Sequence, residues 1–198
     1  MPWAPDYVST PELKGYLRIS DTADDTEIAY AISAASRAVD RATNRQFGLV
    51  VAAQARKYTA RWDRDRARYV VDIDDLMTVT GLVVTGENGA IDVFAKEPGN
   101  ADLNGVPWTR LVVDPTSTTL PTLKEDGVTV TAQFGWTTVP VAVKQAALLQ
   151  AARFFTRRQA PFGVAGSPEL GSELRLLAKV DPDVAVVLGP YTRWWSAA

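Results

Sequence analysis

The chain has 198 residues, 46% of them hydrophobic, which is enough to bury one sizeable core or two small ones. Its net charge of −2 provides no general attraction to nucleic acid or to an anionic membrane surface. The chain has no cysteine, which excludes disulfides and thiolate metal sites, and no histidine, which excludes Ser-His-type triads and removes the commonest general base.

The first residues predict an extended arm. Residues 1–9 contain two prolines together with Trp3 and Tyr7, and they lack the basic-then-apolar layout of a signal peptide. No apolar run in the chain reaches the length that crosses a membrane. We therefore expect a soluble intracellular protein, of a kind that can be built into a larger particle.

Two helices are predicted next. Thr10 and Pro11 have the residue types of an N-cap and a first helical position, and this helix is expected to end near Ile19. A second helix is expected over Asp25–Asn44, because its apolar residues recur at helical spacing. These residues are Ile28, Ile32, Ala35, Val39 and Ala42.

The acidic stretch Asp21–Glu27 that leads into the second helix has two interpretations. Carboxylates at this position favour the positive end of the helix dipole. A calcium loop is the functional alternative, but its pattern needs a central glycine, which this stretch lacks. We interpret the stretch as a helix start.

From about residue 54 to residue 136 the apolar pattern changes to alternation with many β-branched residues, which is typical of strands. Turn signals such as Glu87-Asn88-Gly89 separate the strands. The region predicts a small antiparallel sheet or sandwich inserted between helices. The predicted strands are Ala55–Thr59, Tyr69–Ile73, Thr78–Thr85, Ile91–Ala95, Thr109–Val113 and Val128–Gly135.

Two charged stretches in this region have both a functional and a structural interpretation. The first can contact DNA phosphate or an acidic partner, or it can form a solvated hairpin tip, which we favour. Its basic residues are Arg56, Lys57, Arg61, Arg64, Arg66 and Arg68. The second can hold a hard cation, or it can be a polar strand end, which we favour. It consists of Asp72, Asp74 and Asp75.

The stretch Val139–Arg158 predicts the longest apolar helix. Pro140 suits a first helical turn, alanine and leucine dominate the interior, and Pro161 follows the end. The apolar residues cover an arc of roughly 180°, which suits a helix packed on several neighbours. They are Val143, Ala147, Leu148, Ala151, Ala152, Phe154 and Phe155.

The C-terminal region predicts a loop and two short segments. The loop, Ala160–Gly171, is rich in glycine, proline and serine, and Glu173–Lys179 and Val184–Leu188 are expected to be helical. The chain ends in a tail that contains Tyr191, Arg193, Trp194 and Trp195. Leaving two tryptophans in water forgoes several kcal/mol, so the tail is expected to dock, either on its own core or on a partner.

Three motifs in this order resemble the head–tail connector (adaptor) family of long-tailed bacteriophages. The first is Leu-Lys-x-Tyr-Leu-Arg-Ile (13–19), followed by the Asp-rich turn and by Ala-x-x-x-Val-Asp-x-x-Thr-Asn-Arg (35–45). The second is Phe-Gly-Trp-Thr-Thr-Val-Pro-x-x-Val-Lys-Gln-Ala (134–146). The third is Phe-Phe-Thr-Arg-Arg (154–158), and together the motifs span roughly half of the chain.

The predicted elements make an α+β protein with a helical core, of three main helices and short C-terminal helices, and an inserted antiparallel β domain. Its parts are residues 1–53, the β insertion 54–136, and residues 137–198. The resemblance implies a helical protomer and a homo-oligomeric ring, usually twelve-fold, in the neck of the virion between the portal and the tail-side stopper. Double-stranded DNA passes through the ring, and assembly takes place in the host cytoplasm. The implied role is structural, without catalysis, cofactor, metal or membrane.

In such a ring the helices form the wall and the subunit contacts. The central-helix residues expected there are Val143, Ala147, Ala151, Phe154 and Phe155. The residues expected to dock on the portal are Tyr191, Arg193, Trp194 and Trp195. The β insertion is expected to face the next tail component or the particle exterior.

Three other functions are considered beside the adaptor. A stopper or tail-completion protein is a neighbouring role in the same neck. A carboxylate-dependent enzyme would use Asp72, Asp74 or Asp75, and needs a concave pocket with a carboxyl of raised pKa. A nucleic-acid binder would use the basic stretch 56–68 and would bind DNA with a steep dependence on salt.

Overall fold

The computed structural model describes residues 3–157, 164–165, 174–175 and 182–194. Within these residues the chain has four α-helices and two four-stranded antiparallel sheets, so the predicted α+β class is confirmed. The helices are α1 (Thr10–Leu17), α2 (Asp25–Thr43), α3 (Val141–Arg157) and α4 (Pro182–Leu188), the last followed by a 3-10 turn at Gly189–Tyr191. The described chain forms two compact units, a helical unit up to Phe47 and from Val139 onward, and a β unit, Gly48–Thr138.

In the helical unit α2 packs along α3, and α1 and α4 contact both of these helices. The buried face of α2 contains Ile28, Ile32, Ala35 and Val39, as its periodicity predicts. Ala42 is exposed, contrary to the prediction, because the last turn instead buries Thr43, whose hydroxyl donates to the Val39 carbonyl at 2.9 Å.

The start of α1 differs by one residue from the prediction. Ser9, not Thr10, is the N-cap, and Pro11 lies at the second helical position. The Ser9 side chain accepts from the Glu12 N–H at 3.4 Å, and the Glu12 carboxylate accepts from the Ser9 N–H at 2.7 Å. This reciprocal capping box stabilises the start of the helix.

The β unit contains two sheets. The first has the order β1-β8-β4-β5 and the second the order β2-β3-β7-β6. The strands in chain order are β1 (Gln54–Tyr58), β2 (Ala60–Asp63), β3 (Arg68–Leu76), β4 (Val83–Gly86), β5 (Gly89–Ala90), β6 (Phe94–Glu97), β7 (Trp108–Val113) and β8 (Val128–Ala132). The core of the unit includes Val71, Leu111, Val130 and Phe134.

Several predicted strand bounds in the β unit are wrong. The strand expected over Thr78–Thr85 begins only at Val83, because the Leu82 N–H closes a turn on the Val79 carbonyl at 3.1 Å. The strand expected over Ile91–Ala95 forms only at Phe94 and Ala95, in β6, because the Asp92 and Val93 N–H groups donate to the Ser117 hydroxyl. Strand β2 is absent from the prediction.

The last two strands, β9 (Val164–Ala165) and β10 (Leu174–Arg175), are short and pair antiparallel with each other. The helix predicted over Glu173–Lys179 is therefore wrong at residues 174 and 175, where pairing with β9 replaces it, and its other residues lie outside the described ones. The loop prediction Ala160–Gly171 also falls largely outside them. Among the described residues, no helix combines the length and the apolar character needed to cross a membrane.

Candidate functional site

The C-terminal segment, residues 182–194, lies against the C-terminal end of α2. Val184 and Leu188 of α4 are buried. The Arg193 N–H donates to the Thr43 carbonyl at 2.8 Å, and the Asn44 side-chain amide donates to the Arg193 carbonyl at 3.2 Å. The last carbonyl groups of a helix have no partner within the helix. The segment therefore satisfies part of the end of α2 while it is itself held in place.

After Arg193 the C-terminal segment becomes exposed. The Tyr191 ring is half-buried and contacts the Phe47 ring edge-on, with 5.9 Å between the centroids. Trp194, by contrast, has 87% of its surface in water. Trp195 lies outside the described residues. The tail therefore folds back on its own core as far as Arg193 and leaves Trp194 exposed beside it.

The N-terminal arm lies on the same end of α2. Tyr7 is buried, its N–H donates to the Ser36 hydroxyl at 3.1 Å, and its phenol donates to the Asp40 carboxylate. The phenol oxygen also accepts from the Phe47 N–H at 2.9 Å. Arg37 pairs with Asp40 at 3.2 Å. Arm, helix end and C-terminal segment thus form one polar and aromatic cluster.

Burial governs the protonation of this cluster. It raises the pKa of the Tyr7 phenol, and the hydrogen bond to the Asp40 carboxylate raises it further. Burial also raises the pKa of Asp40, against the hydrogen bond from Tyr7 and the charge of Arg37. The proton therefore stays on the Tyr7 oxygen at neutral pH, and the phenol remains a donor to Asp40.

The central helix, α3, buries most of the face that was predicted for it. Val143, Ala147, Ala151 and Phe155 are buried, whereas Phe154 is half-buried. The exposed Lys144 on this helix lies 3.4 Å from Glu12 of α1. This face forms the core of the helical unit.

The predicted basic stretch is neutralised by carboxylates on one face of the second sheet. Arg61 binds one oxygen of Asp72 at 3.1 Å, and Arg110 binds the other at 2.8 Å. Arg110 also lies 3.6 Å from Glu97, which binds Arg66 at 2.9 Å. We call these five residues the ion-pair ladder. Arg61 lies in β2, Asp72 in β3, Arg110 in β7 and Glu97 in β6, whereas Arg66 lies in the β2–β3 turn. The ion pairs therefore connect all four strands of the second sheet.

Of the other basic residues of the stretch, some form ion pairs within the described chain and some do not. Arg68 binds Asp114 at 3.1 Å. Lys57 and Arg64 form no ion pair with a described residue. As predicted, the tip of the β2–β3 hairpin is exposed at residues 64–66. Most of the basic residues that the sequence analysis considered for DNA binding therefore form ion pairs within the β unit.

The three aspartates of β3 are held apart by different partners. Asp72 belongs to the ion-pair ladder. Asp74 accepts from Arg56 at 2.7 Å and from the Tyr58 phenol at 2.8 Å. Asp75 is buried and accepts from the Trp136 indole N–H at 2.8 Å. Among the described residues no group of three carboxylates converges to hold a metal ion.

One open cavity of about 480 Å³ lies in the helical unit beside the arm. Its lining includes Asp6, Tyr7, Glu12 and Lys144. Glu12 has its pKa lowered chiefly by hydrogen bonds from Ser9. A carboxyl with a lowered pKa is a poor general acid, so Glu12 is not the carboxyl of raised pKa that the enzyme hypothesis requires.

Sequence reasoning missed Tyr7, Asp40 and Phe47 as a connected set. Asp40 lies off the apolar stripe of α2, so the helical pattern alone gives it no place in the core. The signal was present in the motif Val-Asp-x-x-Thr-Asn-Arg, because Asp40, Thr43 and Asn44 each contact a terminal segment.

The fold is similar to that of a protein chain in the neck of an empty gene transfer agent (GTA) particle computed with C6 symmetry. The TM-score is 0.55 at 16% sequence identity, and the match covers 100% of this chain and 95% of that one. A chain of the native GTA virion matches with a TM-score of 0.47 at 19% identity, over 96% of this chain and 92% of that one. No protein-family model and no curated protein matches the sequence. At this identity the likeness establishes the fold.

Proposed function

We propose that this protein is a structural part of the neck of a tailed-phage-like particle, and specifically the adaptor that joins the portal to the tail-side stopper. The observation that carries the proposal is the fold, which is shared over the full length of the chain with a protein of a GTA neck. The three sequence motifs support the same role independently, because they rest on residue identities and not on the fold.

In this role the helical unit builds a ring, usually twelve-fold in adaptors, and the β unit faces the tail side or the exterior. The C-terminal segment docks on the portal. Trp194 suits an anchor, since tryptophan is enriched among the residues that dominate binding energy, and 87% of its surface is free. Ring symmetry multiplies a modest contact, because many copies engage the partner ring together.

The net charge of −2 suits a ring through which DNA moves, and the β unit adds no strong DNA-binding surface of its own. The ion-pair ladder engages Arg61, Arg66 and Arg110 with carboxylates. A surface with few free cations releases few counterions from DNA and therefore holds it weakly. Such a ring lets double-stranded DNA pass without gripping it.

The test is to mix the protein with the portal protein of the same particle and to image the mixture by negative-stain electron microscopy. We expect rings of this protein on the narrow end of the portal. The affinity of each variant for the portal is then measured by biolayer interferometry. Trp194→Ala, and truncation after Gly189, should each weaken binding at least tenfold, the scale of a hot-spot residue.

The matched control is Leu103→Ala, which removes another exposed hydrophobic side chain (83%) from the β unit. It should bind the portal as the unmodified protein does. Full binding by Trp194→Ala would remove the docking assignment and leave the adaptor role open. No ring on the portal, with binding to tail-side neck proteins instead, would replace the adaptor role by that of a stopper.

A further inference from the structure

Phe47 is shared by both terminal segments of the helical unit. Its ring is fully buried and contacts Tyr7 edge-on at 5.7 Å and Tyr191 edge-on at 5.9 Å, with interplanar angles of 80° and 79°. Edge-to-face pairs at these distances are attractive. The arm and the C-terminal segment are therefore packed on the same aromatic ring.

The position of Phe47 depends on the arm. Phe47 follows the end of α2, outside any regular element, and its N–H donates to the Tyr7 phenol at 2.9 Å. The same phenol donates to Asp40, so Tyr7 links the loop after α2 back to the helix. Arg37 holds the arm at a further point, through the Pro5 carbonyl at 2.5 Å. If the phenol oxygen is removed, the buried Phe47 N–H loses its hydrogen-bond acceptor.

The position of the C-terminal segment depends in turn on this end of α2. The backbone of Arg193 forms two hydrogen bonds there: its N–H donates to the Thr43 carbonyl, and its carbonyl accepts from the Asn44 side-chain amide. Tyr191 adds the ring contact to Phe47. Since Trp194 directly follows Arg193, these three contacts determine where its side chain is presented.

We infer that Tyr7 and Phe47 are positioning residues for the C-terminal segment, so that the N-terminal arm determines the pose in which Trp194 meets its partner. The inference rests on the proposed function only for the identity of that partner. Coupling between two segments is reciprocal. A partner that orders Trp194 therefore also tightens the arm on α2.

Hydrogen exchange of the isolated protein, read by mass spectrometry, tests the coupling. The variant is Tyr7→Phe, which keeps the ring and removes only the phenol oxygen. Because a lost buried hydrogen bond to a charged group shifts a local opening equilibrium by roughly tenfold, the amides of residues 189–194 should exchange roughly tenfold faster. The amides of α3 should keep their rate, as they lie outside the cluster.

The matched control is Tyr58→Phe. Tyr58 also donates its phenol to an aspartate, Asp74 at 2.8 Å, but it belongs to the β unit, whereas the C-terminal segment belongs to the helical unit. It should leave the exchange of residues 189–194 unchanged. A second variant, Phe47→Leu, keeps apolar bulk and removes both ring contacts, and should accelerate the same amides.

Two results would overturn the inference. One is unchanged exchange of residues 189–194 in Tyr7→Phe. The other is equal acceleration of α3 and the C-terminal segment, which indicates a general loss of stability instead of positioning. Binding to the portal separates the two proposals. If Trp194→Ala binds fully, the docking role fails whatever the exchange shows. If Trp194→Ala binds weakly but Tyr7→Phe exchanges normally, only the positioning role fails.

Discussion

The indole N–H of Trp136 donates to the Asp75 carboxylate at 2.8 Å, and both side chains are buried. The backbone beside this pair is also engaged, since the Gly135 N–H donates to the Asp75 carbonyl at 2.6 Å. This relationship explains the Phe-Gly-Trp motif as a structural element of the β unit. It also gives Asp75 a structural role.

Trp136→Phe should destabilise the protein by about 2–4 kcal/mol, because it removes the donor to a buried carboxylate and leaves a small cavity. Urea denaturation followed by circular dichroism measures the change. The control is Trp62→Phe, at a tryptophan that is 39% exposed and contacts Tyr69 edge-on. That change should remain under about 1 kcal/mol. Equal effects of the two substitutions would contradict the structural role of the Trp136–Asp75 pair.

Gly135→Ala should be more harmful than its size suggests. Gly135 has φ of +112°, and a Cβ there would overlap the carbonyl oxygen of Gly48, which is backbone and cannot turn away. We expect a loss of about 3 kcal/mol or more in urea denaturation. Gly99→Ala is the comparison, since a Cβ at Gly99 meets nothing within 4 Å. A mild effect at Gly135 would mean that the Gly48 segment shifts easily.

The helices were readable from the sequence because their signals are local. The spacing of Ile28, Ile32, Ala35 and Val39 predicted α2 within one residue of its end. The correct cap of α1 was also present, since Ser9 and Glu12 have the spacing of a capping box. Thr10 was preferred only because Pro11 follows it.

The rest depends on partners that are distant in the sequence. Strand β2 was missed because Arg61 and Asp63 interrupt its apolar pattern, and both are tolerated there since the residues opposite or nearby carry the opposite charge. Asp40 contacts Tyr7 across 33 positions, and Asn44 contacts Arg193 across 149. The motif Val-Asp-x-x-Thr-Asn-Arg contains Asp40 and Asn44, but neither periodicity nor spacing predicts their partners. The candidate site is composed of them.

Trp194→Ala should leave stability unchanged within about 0.5 kcal/mol, because the side chain is 87% exposed. Tyr191→Ala should cost about 1–2 kcal/mol, because it removes the ring contact to Phe47 and the burial around it. Thermal and urea unfolding measure both. A folded, stable Trp194→Ala protein is also what makes its binding to the portal interpretable. A large loss of stability in this variant would mean that Trp194 packs on its own chain.

The ion-pair ladder predicts how the protein binds DNA. In fluorescence anisotropy with duplex DNA at about 50 mM salt, the unmodified protein should bind weakly. Asp72→Asn combined with Glu97→Gln removes the carboxylate partners of Arg61 and Arg110 and leaves Arg66 only Asp63, at 3.9 Å, and should steepen the dependence of log K on log[salt] by up to about 3.

The control for the DNA experiment is Glu87→Gln, which also removes a negative charge but frees only Lys124, at 2.7 Å in the structure. It should change the salt dependence by at most about 1. Strong, salt-dependent binding by the unmodified protein would instead support a direct DNA contact, through Lys57 and Arg64, which have no ion pair with a described residue.

Asp92 predicts a loss of stability in acid. Its carboxylate accepts from the Thr118 N–H at 2.9 Å and from the Ser117 and Thr118 hydroxyls, each at 2.8 Å, and these bonds lower its pKa from 3.8 to about 2. A carboxyl whose pKa is lower in the folded state stabilises the fold above its ordinary pKa and loses this contribution as the pH falls. Asp92→Asn should therefore lower Tm at pH 7, and the difference should disappear between about pH 4 and pH 2.

Asp40→Asn provides a control of opposite sign. Burial raises the pKa of Asp40, so ionisation of this carboxyl opposes folding. The protonated carboxyl stabilises the fold below its ordinary pKa, and this contribution to stability is lost as the pH rises. Relative to the unmodified protein, Asp40→Asn should therefore gain in Tm as the pH rises above the ordinary pKa of 3.8, whereas Asp92→Asn should lose in Tm as the pH rises from about 2 to 4. Calorimetric scans of the three proteins at several pH values measure both trends. Parallel trends for the two variants would contradict the opposite environments of these carboxyls.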